Sequence, residues 1–488
     1  MMSPSEPTHA DLTAAADAAV ATAAPRAARD PHRLAYHFMA PAGWMNDPNG
    51  LIRWRGVYHV FYQHNPYEAH WGAMHWGHAT SHDLVRYAHL PAALAPRERY
   101  ERPAAGGGGC FSGSAVDDDG TLTLVYTATS DGPNSQAQCI ATSEDGVTFT
   151  KHSGNPVIPA PPPQGNPGDF RDPKVWRHGG CWWMVVGSRD GERGNVLVYR
   201  SDDLRGWDFV SVACQSDGAQ GRMWECPDLF PLGDRHALVI SPVGVEPRKS
   251  VTMVGDFDYA TGRFTPERQG DTDYGPGFYA PQSFLDEHGR RIMFGWMTAT
   301  WGASPTRAYG WDGALTLPRL VTMGTDGLPR FSPLPELKCL RGEHVRLEGL
   351  TAGRHARKLE GVRGNALELA AEFEVARDAE FGLSVLRSAD GKQETRIIYD
   401  QPSGRLVLDW ESSGAVEAGR RSAPVHADAG GRLRLHLFID RSSVEVFADD
   451  GRAVMSARVF PEPGSLGVAL LGKAQMLSLD AWKLATIW

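Results

Sequence analysis

The sequence predicts an all-β protein in which a five-bladed β-propeller is followed by a C-terminal antiparallel β-sandwich. Three observations support this. Motifs that contain carboxylates or hydroxyls recur at a regular spacing, a second polar marker recurs at a similar period, and the last third of the chain alternates polar and apolar residues. The chain has 488 residues, which exceeds a usual single core, so two or more domains are expected.

The recurring motifs each set a polar residue beside an aromatic or basic one. They are Trp44–Gly50, Phe111–Ser114, Phe170–Pro173, Trp224–Pro227 and the segment around Tyr279. The steps from Asp47 to Ser112, Asp172, Glu225 and Tyr279 are 65, 60, 53 and 54 residues. Repeats of this length that hold several short strands are typical of propeller blades, in which residues of equal phase meet at the central channel. The spacing therefore predicts that the three carboxylates of these motifs, Asp47, Asp172 and Glu225, share one pocket.

A second marker supports the same period. Asp83, Asp145, Asp203 and Asp258 each follow a short apolar strand, and the steps between them are 62, 58 and 55 residues. Short runs of β-branched and aromatic residues, such as Leu122–Tyr126, are bounded by Gly, Asn, Asp and Pro, as expected of strands joined by turns. About 300 residues at roughly 60 per repeat give five blades.

These patterns divide the chain into four parts. Residues 1–32 are Ala-rich and are predicted to form a disordered or weakly helical tail. Residues 33–335 form the propeller, residues 336–345 a connector, and residues 346–488 a sandwich of two sheets, because period-two alternation returns there between turns.

Composition narrows the possible partners and compartments. The net charge of -9 argues against nucleic acid and against an anionic membrane surface. No run of about 18 apolar residues and no basic segment before an apolar one occurs, so we expect neither a membrane span nor a secretory signal. The six cysteines form no CxxC pair, which favours free thiols and a cytoplasmic protein.

The carboxylate motifs could have a purely structural role instead of a chemical one. Asp-Pro-Asn-Gly is an ordinary turn sequence, and Glu225 alone could be a salt-bridged strand residue. The recurrence of Asp47, Asp172 and Glu225 at equal phase favours chemistry, because carboxylates that converge in one pocket can divide acid, base and nucleophile roles.

The motifs, taken in order, resemble glycoside hydrolase family 32, the β-fructofuranosidases. The resemblance rests on Trp44–Gly50, Phe61–Gln63, Trp71–Gly72, Phe111–Ser112, Phe170–Pro173, Trp224–Pro227, Asp273–Gly275, Phe278–Ala280, Gly295–Met297, Leu317–Leu320 and Phe438–Phe447. It spans about residues 33–488. It implies a retaining hydrolase that releases fructose from sucrose or related β-D-fructofuranosides through a covalent fructosyl-enzyme intermediate.

The resemblance also implies roles for individual residues. Asp47 would be the nucleophile, Glu225 the general acid/base, and Asp172 the transition-state stabiliser that holds ring hydroxyls together with Arg171. The fructose subsite would be completed by Asn46, Gln63, Trp71, Phe111 and Ser112, with Asp273, Tyr279 and Trp296 as weaker candidates. Blade core is the competing interpretation for the aromatic residues among them, and Trp301 and Trp311 could either join a leaving-group platform or pack in the core.

No metal or organic cofactor is predicted. His75, His78 and His82 lie close in sequence, but His75 and His78 would point to opposite faces of a strand. The partner is therefore expected to be a small carbohydrate alone, bound by a monomer or homodimer.

Several alternatives remain open at this level. The chain could be a fructosyltransferase, in which a sugar replaces water as acceptor, or a sucrose-6-phosphate hydrolase. An arabinan- or xylan-cleaving propeller has a similar layout of three carboxylates. A non-catalytic carbohydrate-binding propeller is the alternative from a different class.

Overall fold

The computed structural model describes residues 6–102, 107–132, 134–298, 304–414, 417–473 and 475–488. Within these residues nearly every element is a strand, and the all-β class is confirmed. Short 3-10 helices lie at η1 (Arg99–Glu101), η2 (Pro305–Tyr309) and η3 (Pro335–Leu340). None of the described helices is both long and apolar enough to cross a membrane.

Five sheets of four or more strands occupy the first two thirds of the chain. The first blade holds β1 (Gly43–Trp54), β2 (Val57–Asn65), β3 (His75–Ser81) and β4 (Tyr87–Leu94). The second holds β5 (Cys110–Asp118), β6 (Thr121–Thr129), β7 (Gln136–Ser143) and β8 (Thr150–Lys151). The third holds β9 (Phe170–His178), β10 (Cys181–Asp190), β11 (Arg193–Ser201) and β12 (Asp208–Gln215). The fourth holds β13 (Met223–Leu232), β14 (Arg235–Val243), β15 (Val251–Asp258) and β16 (Arg263–Asp271). The last segment holds β17 (Tyr279–Leu285), β18 (Arg291–Met297), β19 (Trp311–Asp312), β20 (Ala314–Leu315), β21 (Arg319–Met323) and β22 (Pro329–Pro333).

The first strands of the blades, β1, β5, β9, β13 and β17, form a closed ring. Each contacts the first strand of the next blade, and β17 contacts β1. Strand β19 leaves the fifth blade and pairs in parallel with β1, so that Trp44 lies opposite Asp312. This pairing joins the end of the propeller to its beginning, and the described residues contain five propeller sheets, the number that the spacing predicts.

Each inner strand is irregular where it carries a motif. The ladder shifts register at the sites Met45/Pro48, Cys110/Gly113, Arg171/Lys174, Glu225/Asp228 and Tyr279/Gln282. A β-bulge bends its strand and re-aims the side chains around it. The same local distortion in every blade therefore brings motif side chains together at the ring.

The second repeated marker forms a turn between the third and fourth strands of a blade. In the first blade Ser81 Oγ accepts a hydrogen bond from the Leu84 N–H at 2.8 Å, and Asp83 Oδ1 accepts from the N–H groups of Val85 and Arg86 at 2.9 and 2.8 Å. The Ser and Asp pairs of the second and third blades bind their own turns in the same way. The marker recurs because each blade makes this turn with side-chain caps.

The N-terminal segment, which the sequence predicts to be a disordered or weakly helical tail, instead forms a 19-residue helix, α1 (His9–Ala27). Its Ala-rich sequence has high helix propensity, and Thr8 and Asp11 form a capping box at its start. The helix packs against the first blade, where Asp17 Oδ1 accepts from the Ala92 N–H at 3.0 Å. At its end Arg26 donates to the carbonyl oxygen of Ala308 in η2 at 2.5 Å. Tertiary docking therefore orders a segment whose composition alone is ambiguous.

The C-terminal domain is a sandwich of two six-stranded antiparallel sheets. Its strands are β23 (Arg341–Thr351), β24 (Arg357–Arg363), β25 (Ala366–Glu374), β26 (Glu380–Arg387), β27 (Glu394–Asp400), β28 (Arg405–Ser412), β29 (Arg420–Pro424), β30 (Arg432–Asp440), β31 (Ser443–Ala448), β32 (Ala453–Arg458), β33 (Gly467–Gly472) and β34 (Gln475–Leu484). One sheet has the order β23-β34-β25-β30-β31-β32 and the other β24-β33-β26-β27-β28-β29. The predicted connector 336–345 is too long, because η3 ends at Leu340 and β23 begins at Arg341.

A network of buried charges joins the sandwich to the propeller. Arg319 Nη1 lies 2.9 Å from Asp273 Oδ2, and its Nη2 lies 2.7 Å from Glu445 Oε2 of the sandwich. The ring nitrogens of His37 lie 2.8 Å from Asp440 and 3.0 Å from Glu445. Burial acts to lower the pKa of His37, but its hydrogen bonds to both carboxylates outweigh burial and raise the pKa to about 9. His37 is therefore a cation at neutral pH and compensates the buried carboxylates.

Candidate active site

Asp47 is held by donors from two blades. Its Oδ1 accepts a hydrogen bond from Asn46 Nδ2 at 2.9 Å, and its Oδ2 accepts from the Ser112 hydroxyl at 2.5 Å. The Asn46 oxygen in turn accepts from Trp44 Nε1 at 2.8 Å. Asn46 lies in the bulged segment of β1, and Ser112 in the bulged segment of β5. The carboxylate is thus fixed in orientation and remains half-buried.

Asp172 lies on β9 near Asp47, and its side chain is buried. Its Oδ2 accepts from the backbone N–H of Cys226 at 2.9 Å, and its own N–H donates to Thr127 Oγ1 at 3.0 Å. The Cys226 sulfur lies 3.5 Å from Asp172 Oδ2 and 3.6 Å from Asp47 Oδ2. Both Asp172 (φ 65°) and Cys226 (φ 49°) adopt the left-handed backbone conformation, an arrangement that costs free energy outside glycine and that clusters at functional sites.

Glu225 is oriented by two neighbouring side chains. Arg171 donates from Nε and Nη2 to Glu225 Oε1 at 3.1 and 2.8 Å, and the Tyr279 hydroxyl donates to Oε2. Arg171 is itself anchored by Asp169, whose Oδ1 lies 2.8 Å from Nη1. Donors at both carboxylate oxygens fix the orientation of the group as well as its position. Glu225 therefore keeps a defined direction near the beginning of β13.

Burial and mutual repulsion dominate the electrostatics of the carboxylate cluster. Burial raises the pKa of Asp172 to about 7; Arg171 opposes this, while Glu225 and Asp47 add to it. Burial also raises the pKa of Asp47, and the hydrogen bonds from Ser112 and Asn46 counteract part of that effect. The pKa of the Cys226 thiol is raised far above its usual range by burial and by the adjacent carboxylates. Cys226 is therefore a neutral S–H donor toward two acidic groups.

The aromatic candidates differ in their access to solvent. Trp71 is 42% exposed, and its ring meets that of half-buried Phe111 edge to face at 5.9 Å between centroids. Such a pair can pack on the apolar face of a sugar. Gln63 is almost fully buried and donates to the carbonyl oxygen of Cys110 at 2.9 Å. In this structure its amide joins the first blade to the inner strand of the second.

The structure corrects the predicted substrate-binding role of two of the weaker candidates, Asp273 and Trp296. Asp273 is 2% exposed and pairs with Arg319 at the domain interface, so it is a structural residue. Trp296 is 1% exposed and packs behind Trp44 and Tyr279. Trp296 therefore packs on the buried side of these two residues and does not line the site.

The two other tryptophans considered for a leaving-group platform give no support to one. Trp301 lies outside the described residues. Trp311 is buried, and its indole N–H donates to Asp30 Oδ2 at 2.8 Å, which makes it part of the core between the first and last blades.

Three residues of the site escape prediction from the sequence. Asp169 anchors Arg171, Thr127 holds the backbone of Asp172, and Cys226 contacts both aspartates. Cys226 stands within the motif Trp224–Pro227, so its position was a usable signal. Asp169 precedes its motif by one residue, whereas Thr127 lies on a neighbouring strand with no motif to mark it.

The arrangement provides Asp47 as a restrained carboxylate, Glu225 as a carboxylate oriented by cationic and hydroxyl donors, and Asp172 as a third, buried carboxylate. In the part of the chain that the structure describes, no group of three or more His, Cys, Asp or Glu residues is placed to hold a metal ion. The three carboxyl groups can perform acid/base and nucleophilic catalysis.

Comparison with known proteins agrees with this geometry. Residues 37–330 match the N-terminal domain of glycosyl hydrolases family 32, and residues 336–483 match the C-terminal domain of that family. A sucrose-6-phosphate hydrolase from Escherichia coli is 39% identical over 465 residues, covering 89% of this chain and 92% of that protein. A raffinose invertase from Escherichia coli is 40% identical over 451 residues, covering 89% and 91%.

Solved structures of related proteins superimpose over almost the whole chain. A Bombyx mori GH32 beta-fructofuranosidase is 32% identical with a TM-score of 0.83, covering 97% of this chain and 99% of that one. Fructan 1-exohydrolase IIa from Cichorium intybus is 25% identical with a TM-score of 0.84, covering 94% and 98%. Models of both domains of the family match this chain, and the chain belongs to glycosyl hydrolase family 32.

Proposed function

We propose that this protein hydrolyses β-D-fructofuranosides with retention of configuration, releasing fructose from sucrose or a related substrate. The observation that carries the proposal is the convergence of three inner-strand carboxylates. Cys226 touches both Asp47 and Asp172, and Glu225 adjoins Cys226 in the chain. Relatives that match along the chain are sucrose-6-phosphate hydrolases, an invertase and a levanase.

In the first step Asp47 attacks the anomeric carbon of the fructosyl unit. The glycosidic C–O bond breaks as Glu225 transfers its proton to the departing oxygen, and a fructosyl ester of Asp47 remains. In the second step Glu225 removes a proton from water, the water oxygen attacks the same carbon, and the bond to Asp47 breaks. The hydrogen bonds from Ser112 and Asn46 hold Asp47 in position for both steps.

Asp172 and Arg171 act on the sugar ring. Positive charge develops on the fructosyl ring in the transition state, and a buried carboxylate beside it stabilises that charge more than it stabilises the ground state. Arg171 also positions Glu225. Trp71 and Phe111 are the aromatic surface on which the substrate packs.

The assignment is tested by incubating the protein with sucrose, raffinose, inulin and levan and following the products by NMR. We expect fructose to appear first as the β-furanose anomer. Asp47→Asn should lower turnover by roughly 10⁴-fold or more while the protein stays folded, because an amide cannot form the ester. Near wild-type turnover in folded Asp47→Asn would refute the nucleophile role, and a folded wild type that releases no fructose would refute the function.

Fructosyl transfer is the second candidate, because the same intermediate can be attacked by a sugar hydroxyl. Product analysis at high sucrose concentration separates the two outcomes. Oligosaccharides longer than the substrate would indicate transfer, and free fructose equal to free glucose would indicate hydrolysis.

We also propose that the protein acts in the cytoplasm as a monomer or homodimer. All six cysteines are unpaired in the structure, which suits a reducing compartment. Fractionation of cells and light scattering of the purified protein test these two points.

A further inference from the structure

Glu225 has an unfavourable neighbour for a proton donor. In the proposed function, on which this inference rests, Glu225 must hold a proton until it transfers that proton to the departing oxygen. Arg171 donates to Glu225 Oε1 from Nε at 3.1 Å and from Nη2 at 2.8 Å. A cation at this distance favours the ionised form of a carboxyl group. Arg171 alone would therefore oppose the protonated state that the first step needs.

Asp169 binds the other side of the same guanidinium. Its Oδ1 accepts a hydrogen bond from Arg171 Nη1 at 2.8 Å, so the cation has a carboxylate partner on each side. Burial acts to raise the pKa of Asp169, but the hydrogen bonds from Arg171 and Arg189 outweigh burial and lower this pKa. Asp169 is therefore ionised at neutral pH and offsets the charge of Arg171 whether or not Glu225 carries a proton.

Arg189 and the backbone hold Asp169 in place. Arg189 Nε donates to Asp169 Oδ2 at 2.5 Å, and the carbonyl oxygen of Asp169 accepts from the Ser188 hydroxyl at 2.6 Å. The side chains of Arg171, Asp169 and Arg189 are between 14 and 28% exposed, so solvent screens their charges only in part. Together with Glu225 they form a row of alternating charges that leads outward from the active site.

We propose that Asp169 is a positioning residue that lets Glu225 act as an acid, because it shares the charge of Arg171 and holds the guanidinium toward Glu225. Arg189 moderates this effect by sharing the charge of Asp169 in turn. After Glu225 has given up its proton, the same guanidinium stabilises the new carboxylate beside Asp172. One cation with two carboxylate partners therefore suits both protonation states of the acid/base residue.

Other charged and titratable groups also face Glu225. Tyr279 of β17 donates to its Oε2, and Cys226 of β13 follows it in the chain. Asp47 of β1 and Asp172 of β9 add negative charge to its surroundings. More distant charged groups on this side are Arg222, Glu246, Arg248 and Lys249 of the neighbouring loops, and Glu192 at 3.6 Å from Arg189. None of these groups is changed in the test variants.

The test measures kcat/KM for sucrose against pH in the wild type, in Asp169→Asn and in Arg189→Gln. Asp169→Asn removes the negative charge and keeps the shape of the side chain, so Arg171 favours ionised Glu225 more strongly. The alkaline limb should then move to lower pH by about 0.5 unit or more. Arg189→Gln leaves Asp169 to Arg171 alone, so the alkaline limb should move to higher pH. Asp169→Glu keeps the charge and should restore the limb toward its wild-type position.

The matched controls are Asp119→Asn and Arg177→Gln, which make the same charge changes in an exposed ion pair. Both should keep the wild-type limb. A second readout is a fructoside with a good leaving group, which needs no proton from Glu225 in the first step. Above the alkaline limb, Asp169→Asn should lower kcat/KM for sucrose about threefold or more and change that of the activated fructoside by less than about twofold.

Opposite shifts in the two variants are the expected result, because damage to packing alone would not reverse its sign with the charge removed. An alkaline limb that stays in place in folded Asp169→Asn, or that moves the same way in both variants, overturns the role of Asp169. If Asp169→Asn does not fold, a limb in Arg189→Gln that is unchanged or lower overturns it as well. All of these outcomes leave fructose release by the wild type intact. Absence of fructose release by the wild type, or a fully active Glu225→Gln, overturns the proposed function instead.

Discussion

The Ser112 hydroxyl donates a hydrogen bond of 2.5 Å to Oδ2 of Asp47, joining the inner strands of the first two blades at the proposed nucleophile. Burial raises the pKa of Asp47, and this hydrogen bond is the largest of the interactions that lower it. Asp47 must be ionised to attack the sugar. We therefore expect this contact to extend activity toward lower pH.

Ser112→Ala should shift the acidic limb of the profile of kcat/KM against pH to higher pH. The removed hydrogen bond favours the ionised form of Asp47, so its loss raises the pKa and leaves less carboxylate at low pH. The maximum should also fall, since Ser112 helps to orient the carboxylate. An acidic limb that stays in place would show that another group controls it.

Glu225→Gln should slow the release of fructose from sucrose by orders of magnitude, since the leaving oxygen then lacks a proton donor. A fructoside with a good leaving group should form the intermediate much faster, and azide should restore its turnover by attacking without a general base. Tyr279→Phe is the milder companion variant, because it removes one donor to Glu225 and leaves the carboxyl group intact. Equal damage to both substrates, without rescue by azide, would contradict the acid/base role.

The sequence predicts the ring of motifs and the three carboxylates, because a repeat period fixes which residues share a phase. It does not predict the bulges at the motifs or the left-handed backbone of Asp172 and Cys226. These features depend on packing between neighbouring blades, and they decide where each side chain points. The same limit explains Trp296 and Asp273, which lie within motifs of the sequence but face the core and the sandwich.

The N-terminal helix shows a second limit. An Ala-rich segment has helix propensity, but a single helix in water is marginal without tertiary contacts. Those contacts are provided by Ala92 on the first blade and by Ala308 in η2, far away in sequence.

Asp172→Asn should abolish most activity and yet stabilise the fold at alkaline pH. The pKa of Asp172 is about 7 in the folded protein, above the ordinary value of 3.8. Folded protein therefore binds a proton that unfolded protein has released, and the stability that this proton provides declines as pH rises from about 4 through 7. The unfolding temperature of the variant should exceed that of wild type most at pH 8, and the difference should shrink toward pH 5. A constant difference would contradict the raised pKa.

Arg319→Met should weaken the joint between propeller and sandwich. Arg319, Asp273 and Glu445 have fully buried side chains, so removal of the guanidinium leaves two carboxylates without it in a medium of low polarity. Breaking a buried pair in this way costs about 3–5 kcal/mol.

The control for Arg319→Met is Arg177→Met, which breaks an exposed pair with Asp119 and should change the stability by no more than about 1 kcal/mol. Chemical denaturation, monitored by tryptophan fluorescence and by activity in parallel, measures both effects. If the buried charges couple the two domains, Arg319→Met should unfold and lose its activity at a lower denaturant concentration than wild type. Equal midpoints for the two variants would show that the network contributes no more than a surface ion pair.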